Sequence, residues 1–106
     1  MLELRPSEIF FSQATIRDHF SGGFRTIYGT LEQCMNDPDV INDIPEITVC
    51  HKDGKWFTLD NRRLWVFRQL EMRGRLSSIS VNESDSIPEC KYNTKNGGTS
   101  VEILKW

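Results

Sequence analysis

The sequence predicts an α/β (α+β) domain, a small mixed sheet packed by helices, and three observations carry that expectation. Apolar residues at Phe24, Ile27, Tyr28, Leu31, Cys34 and Met35 recur with the three-and-four spacing of an amphipathic helix. Two runs rich in β-branched and aromatic residues, 46–51 and 55–59, flank Asp53-Gly54, the dipeptide of a two-residue hairpin turn. The second run passes directly into another helical pattern from Asn61 to about residue 73, with Leu64, Val66, Phe67 and Leu70 facing a core.

The remaining elements follow in order. Residues 6–11 (PSEIFF) read as a short strand, after which Ser12 is placed to cap a brief helix over 16–20. Gly22-Gly23 ends that element before the helix of residues 24–35, and residues 36–45, rich in Asp, Asn and Pro, read as a loop. Gly74 stops the helix that starts at Asn61. Residues 77–82 (SSISVN) form a strand pattern, and 83–89 are polar and acidic. Residues 90–93 and 99–104 flank Asn96-Gly97-Gly98 and predict a closing hairpin. The predicted order is β-α-α-ββ-α-β-ββ, the signature of a sandwich with a mixed sheet.

A chain of 106 residues fits one domain spanning its whole length, and 38% hydrophobic with 10% aromatic residues places it among folded proteins. The net charge of −2 provides no global attraction to nucleic acid or an anionic membrane. The charge is uneven, however: residues 1–50 hold three Arg or Lys against eight Asp or Glu, and residues 51–106 hold ten against seven. Cys34, Cys50 and Cys90 are odd in number and lack CxxC spacing, so reduced thiols and a cytoplasmic location are expected. No apolar run is long enough to span a membrane. His19 and His51 belong to no ligand-spaced motif. Trp65 suits packing against the sheet, while Trp56 suits either a half-exposed strand face or a stacking platform for a base.

The strand-to-helix passage Thr58-Leu59-Asp60-Asn61-Arg62-Arg63-Leu64 carries the chemistry. Arg62 and Arg63 fall in the first helical turn, where unpaired N–H groups already form the positive end of the helix dipole. Cations there cost about 0.3–1 kcal/mol, a sign that a bound anion would reverse. The alternative is that both arginines are solvated or paired with a carboxylate such as Asp60. Thr26 and Thr30, four apart, share a face of the preceding helix. Should the two helix starts meet, their hydroxyls and the two guanidiniums would line one pocket for a phosphate chain.

The same passage, with the hairpin IPEITVCHKDGKWFTLDNRR, the upstream TIYGTLEQCM and the closing KYNTKNGGTSVEI, resembles the ParB/sulfiredoxin superfamily across about residues 7–104. In that superfamily a strand ends in a Gly-Glu-Arg-Arg or Gly-Gly-Cys-His-Arg type signature that opens a helix. The resemblance implies a nucleotide site, for ATP or CTP with Mg²⁺, on Arg62, Arg63, Thr26 and Thr30. Asp60 would cap the helix or hold the metal, and Asn61 would orient the ligand.

Relatives repair cysteine sulfinic acid with ATP, or hydrolyse CTP while clamping DNA, or act as nucleases or kinases. This sequence departs from them where it matters. Asn61 stands where a sulfiredoxin has its catalytic cysteine, and an amide cannot replace a thiolate nucleophile. Residues beyond 70 leave no room for the DNA-binding and dimerisation domains of full partition proteins. The expectation is a small nucleotide- or phosphate-binding domain, with phosphoryl transfer or hydrolysis through Asp60 and Asn61 as its candidate chemistry. A nuclease or toxin domain acting on nucleic acid, and a degenerate protein-interaction module, are the alternatives.

Overall fold

The computed structural model describes residues 2–20, 26–85, 94 and 96–104. Its described elements run β1 (Leu2–Leu4), β2 (Ile9–Phe10), β3 (Thr15–Arg17), α1 (Ile27–Asn36), β4 (Ile47–Lys52), β5 (Lys55–Thr58), α2 (Asn61–Met72), β6 (Ile79–Ser84) and β7 (Glu102–Leu104). The fold is α+β, as the sequence predicts. Strands order themselves β1-β6-β4-β5-β2 in a five-stranded sheet, and β3 pairs β7 in a second, two-stranded one. The larger sheet is mixed: β1–β6 and β4–β5 are antiparallel, and β4–β6 and β2–β5 are parallel.

The β4–β5 hairpin forms around Asp53-Gly54, whose φ angles of 52° and 77° are both left-handed. Two successive positive φ values define the turn that matches strand twist, and Asp-Gly is among the few dipeptides that adopt it cheaply. Period-two alternation then assigns the faces. Ile47 and Val49 on β4, Ile79 and Val81 on β6, and Ile9 on β2 join one buried cluster with Ile27 and Leu31 of α1 and Leu64, Phe67 and Leu70 of α2. Leu64 and Leu70 are fully buried, each contributing about 1.5–3 kcal/mol by leaving water. That anchoring fixes α2 against the sheet and sets where its first turn lies.

Several segments differ from the expectation. Residues 6–8 form a 3-10 turn rather than strand, because Pro6 occupies its first position and the Glu8 carboxylate accepts from the Arg5 N–H at 2.9 Å. Only Ile9–Phe10 continue as strand, and β1 precedes it. Ser12 caps no helix. Residues 15–17 are β3, where Ile16 turns inward between exposed Thr15 and Arg17, and pairing with β7 overrides the weak local helical pattern. The acidic loop contains a 3-10 helix, Pro38–Asp43, whose first N–H groups include one capped by Asp37. β7 pairs in parallel with β3, so the contact seen for it is not the expected closing hairpin. Gly22-Gly23, Phe24, Cys90 and the expected strand 90–93 lie outside the described residues.

Arg68 holds the two chain ends onto α2. Its guanidinium donates to the carbonyls of Pro6 at 3.3 Å, Thr99 at 3.0 Å and Ile9, and stacks 4.7 Å from the Phe11 ring centre. Burial lowers its pKa below the ordinary arginine value, against the opposing pull of the Glu71 carboxylate. Gly98, at φ 84°, brings its carbonyl to the Phe11 N–H at 2.9 Å and packs so closely that a Cβ would sit 2.4 Å from the Phe11 carbonyl oxygen. Only glycine fits there.

Candidate functional site

The start of α2 is clamped to β4 by two side chains, Thr58 and Asp60. Thr58, fully buried, donates to the Thr48 carbonyl at 3.4 Å and accepts from the Asp60 N–H at 2.9 Å. Asp60 then accepts the Thr48 N–H through Oδ2 at 2.7 Å. It is the residue before the first helical turn, but its carboxylate makes no hydrogen bond to that turn. The expected capping role is therefore corrected: this side chain reaches sideways to the sheet instead.

Asn61 is 5% exposed and faces Ser12. Its Oδ1 accepts the N–H groups of Ser12 at 2.8 Å and Gln13 at 3.3 Å, and its Nδ2 donates to Ser12 Oγ at 3.0 Å. An amide supplies both a donor and an acceptor, which is what this buried corner requires. The group expected to orient a ligand is thus engaged in holding the 12–13 segment over the helix start.

The two arginines lie beyond this corner. Arg62 donates from Nη1 to the His19 carbonyl at 2.8 Å. Arg63 donates from Nη1 to the Glu46 carbonyl at 3.3 Å and approaches Asp60 Oδ1 at 3.7 Å, with about a third of its side chain exposed. Both line one cavity of about 270 Å³, together with residues 59–61, Gln13 and Phe20. Arg62 and Arg63 thus border the same cleft, and Asp60 is its one carboxylate among the described lining residues. A half-exposed ion pair of this length is worth about 0–1 kcal/mol, so Asp60 is a weak competitor for an anion reaching Arg63.

Thr26 and Thr30 are not among the described residues lining the cavity. Thr26 is the N-cap of α1, its Oγ1 accepting the Gly29 N–H at 2.9 Å. Thr30 is 5% exposed and its Oγ1 has no hydrogen-bond partner among the described residues. The shared-face argument fails because a cap residue has extended backbone, φ −89° and ψ 161°, and is not on the helical screw.

Asp60 also does not fit as a Mg²⁺ ligand: one oxygen takes a backbone N–H and the other faces Arg63. No group of three or more His, Cys, Asp or Glu placed to hold a metal occurs among the described residues. Trp56 packs across the hairpin against His51 with the rings tilted at 45° and their centres 4.6 Å apart, and Trp65 meets Tyr28 edge-on at 5.5 Å. The aromatic at the cavity is instead Phe20. Sequence reasoning missed Gln13 and Phe20, which reach the cavity only through long-range placement of the 12–20 segment. No helix among the described residues is long and apolar enough to cross a membrane.

No family model matches the chain. The curated proteins and the solved structures give no match either.

Proposed function

We propose that this chain is a small phosphate- or nucleotide-binding domain of ParB/sulfiredoxin-like type, with the anion seated at the start of α2 on Arg62 and Arg63. The observation that carries the reading is the cavity of about 270 Å³ lined by both of these arginines at the positive end of a twelve-residue helix. Backbone N–H groups, the helix dipole and two guanidiniums act in one direction there. The resemblance carried by LDNRRLWVFRQL accords with it.

The role supported is binding. Asn61 and Asp60, the residues expected to carry chemistry, are committed to Ser12, Gln13, Thr48 and Arg63, so no step is derived through either, nor through a metal on Asp60. The nuclease and interaction-module alternatives have no comparable observation behind them. Calorimetric titration with ATP, CTP, GTP and pyrophosphate tests the proposal. Two charge-assisted contacts at about 1.5–3 kcal/mol each predict at least roughly a 100-fold loss in an Arg62→Ala/Arg63→Ala variant. No binding tighter than about 1 mM, or binding unchanged in that variant, would overturn it.

A further inference from the structure

Toward the other end of α2 lies a cavity of about 440 Å³ that shares no described lining residue with the anion cleft. Its size falls within the roughly 300–1,000 Å³ usual for small-molecule sites. Its apolar wall comes from several elements. Phe67 of α2 and Ile79 of β6 line it and are buried in the core. Ile41 in the 3-10 helix Pro38–Asp43, Ile44 just after it, and Leu76 beyond the end of α2 also line it, but these three are only half-buried. An occupant would take their remaining apolar surface out of water.

Charge decides the chemistry of that occupant. Glu3, Glu46 and Arg75 line the same cavity, two carboxylates against one guanidinium. All three residues are exposed, and none of their side chains makes an ion pair or hydrogen bond with one another or with another described residue. β6 lies between β1 and β4 in the sheet. Glu3 pairs with Ser80 on one side of it, and Glu46 immediately precedes Ile47, which pairs with Val81 on the other. At a strand spacing of about 4.8 Å the two glutamates stand about 10 Å apart at the backbone, one on each flank of β6. Among the described residues no third ligating side chain joins them, so an organic cation suits the pair better than a metal ion. Arg75 offsets one of the two carboxylates, which leaves the lining complementary to a single positive charge. We infer that this cavity binds a small primary amine with an apolar body, its ammonium facing Glu3 and Glu46 and its hydrocarbon part on Ile41, Ile44 and Leu76.

The test titrates 3-phenylpropylamine, 3-phenylpropanol and 4-phenylbutanoate, which join a phenylpropyl body to a positive, neutral or negative end. Amide NMR shifts at neutral pH and low salt follow the binding. The amine is expected to bind with a Kd of about 1 mM or tighter and at least roughly threefold more tightly than the alcohol. The acid should bind weakest, and the shifted amides should fall in residues 41–46 and 76–80. A Glu3→Gln/Glu46→Gln variant should bring the amine to within about twofold of the alcohol and leave the alcohol unchanged. Both glutamates are exposed, so neither change threatens the fold. Equal binding of amine and alcohol, tightest binding of the acid, no binding by about 10 mM, or an amine indifferent to the double variant overturns the inference. Shifts of the same amides with protein concentration alone would assign the groove to a second copy of the chain and overturn it equally.

Discussion

Replacing Asn61 with alanine should destabilise the fold more than any cavity-forming change of similar size at its surface, and the magnitude follows from its partners. Ser12 is fully buried, and its N–H donates to Asn61 Oδ1 at 2.8 Å. Without that acceptor the N–H is orphaned, at about 1–3 kcal/mol. Loss of the 3.0 Å donation from Nδ2 to Ser12 Oγ adds about 1 kcal/mol. Gln13 is half-buried and its 3.3 Å contact is readily taken over by water. A total of about 3 kcal/mol lowers Tm by on the order of 15 °C in a domain of this size. Asn61→Asp should fare better: its carboxylate still accepts from Ser12 and Gln13, the serine hydroxyl rotates to donate, and negative charge is favoured in a first helical turn. It is expected within about 1 kcal/mol of wild type at neutral pH. Urea unfolding followed by tryptophan fluorescence measures both. An alanine variant losing less than about 0.5 kcal/mol, the range of an ordinary surface change, would refute the reasoning. So would an aspartate variant as damaged as alanine.

Gly98→Ala should cost well over the ~1 kcal/mol typical of a left-handed glycine, because its Cβ meets the Phe11 backbone, whereas Gly54→Ala, at φ 77° with open space around it, should stay near that value. Thermal melts of the pair separate backbone strain from collision, and equal losses would contradict the close approach. Thr30→Val should stabilise by about 1 kcal/mol, since it removes a buried hydroxyl without a partner among the described residues, and should leave nucleotide titrations unchanged; weakened binding would return Thr30 to the site. Asp60→Asn keeps an acceptor for the Thr48 N–H while removing the charge beside Arg63, so pyrophosphate affinity should rise by up to about fivefold. A fall would show that the carboxylate serves the ligand.

What the sequence made legible was what local chemistry decides. Asp53-Gly54 announced its hairpin because few residues tolerate two positive φ values. The second helix was readable because Leu64, Phe67 and Leu70 keep one face buried, and its position after β5 put Arg62 and Arg63 in the first turn. β3 was not readable, because three residues gain their strand geometry only from β7 at the far end of the chain. The same long-range pairing delivers Gln13 and Phe20 to the cavity. Thr26 and Thr30 misled because helical spacing was applied across a helix boundary. Asn61 misled differently: a resemblance in sequence around it suggested chemistry, but its burial and its four-atom corner with Ser12 make it a fastening.

The junction between β5 and α2 divides its labour by side-chain length. Thr58, Asp60 and Asn61 are short, and all three turn back to the sheet or to residues 12–13. Their hydrogen bonds fix the backbone of the first helical turn, including the N–H groups that an anion would meet. Arg62 and Arg63 are long enough to pass that layer and reach the cavity while hydrogen-bonding carbonyls of His19 and Glu46. A guanidinium has five N–H donors, so a carbonyl contact can hold the fork in place without consuming its charge. Holding two cations at the wrong end of a helix dipole costs about 0.3–1 kcal/mol each. Hydrophobic anchoring by Leu64 and Leu70 exceeds that several-fold. The fold can therefore sustain an electrostatically unfavourable pair that local propensity would reject, and the phosphate we propose as guest would turn this unfavourable term into a favourable one.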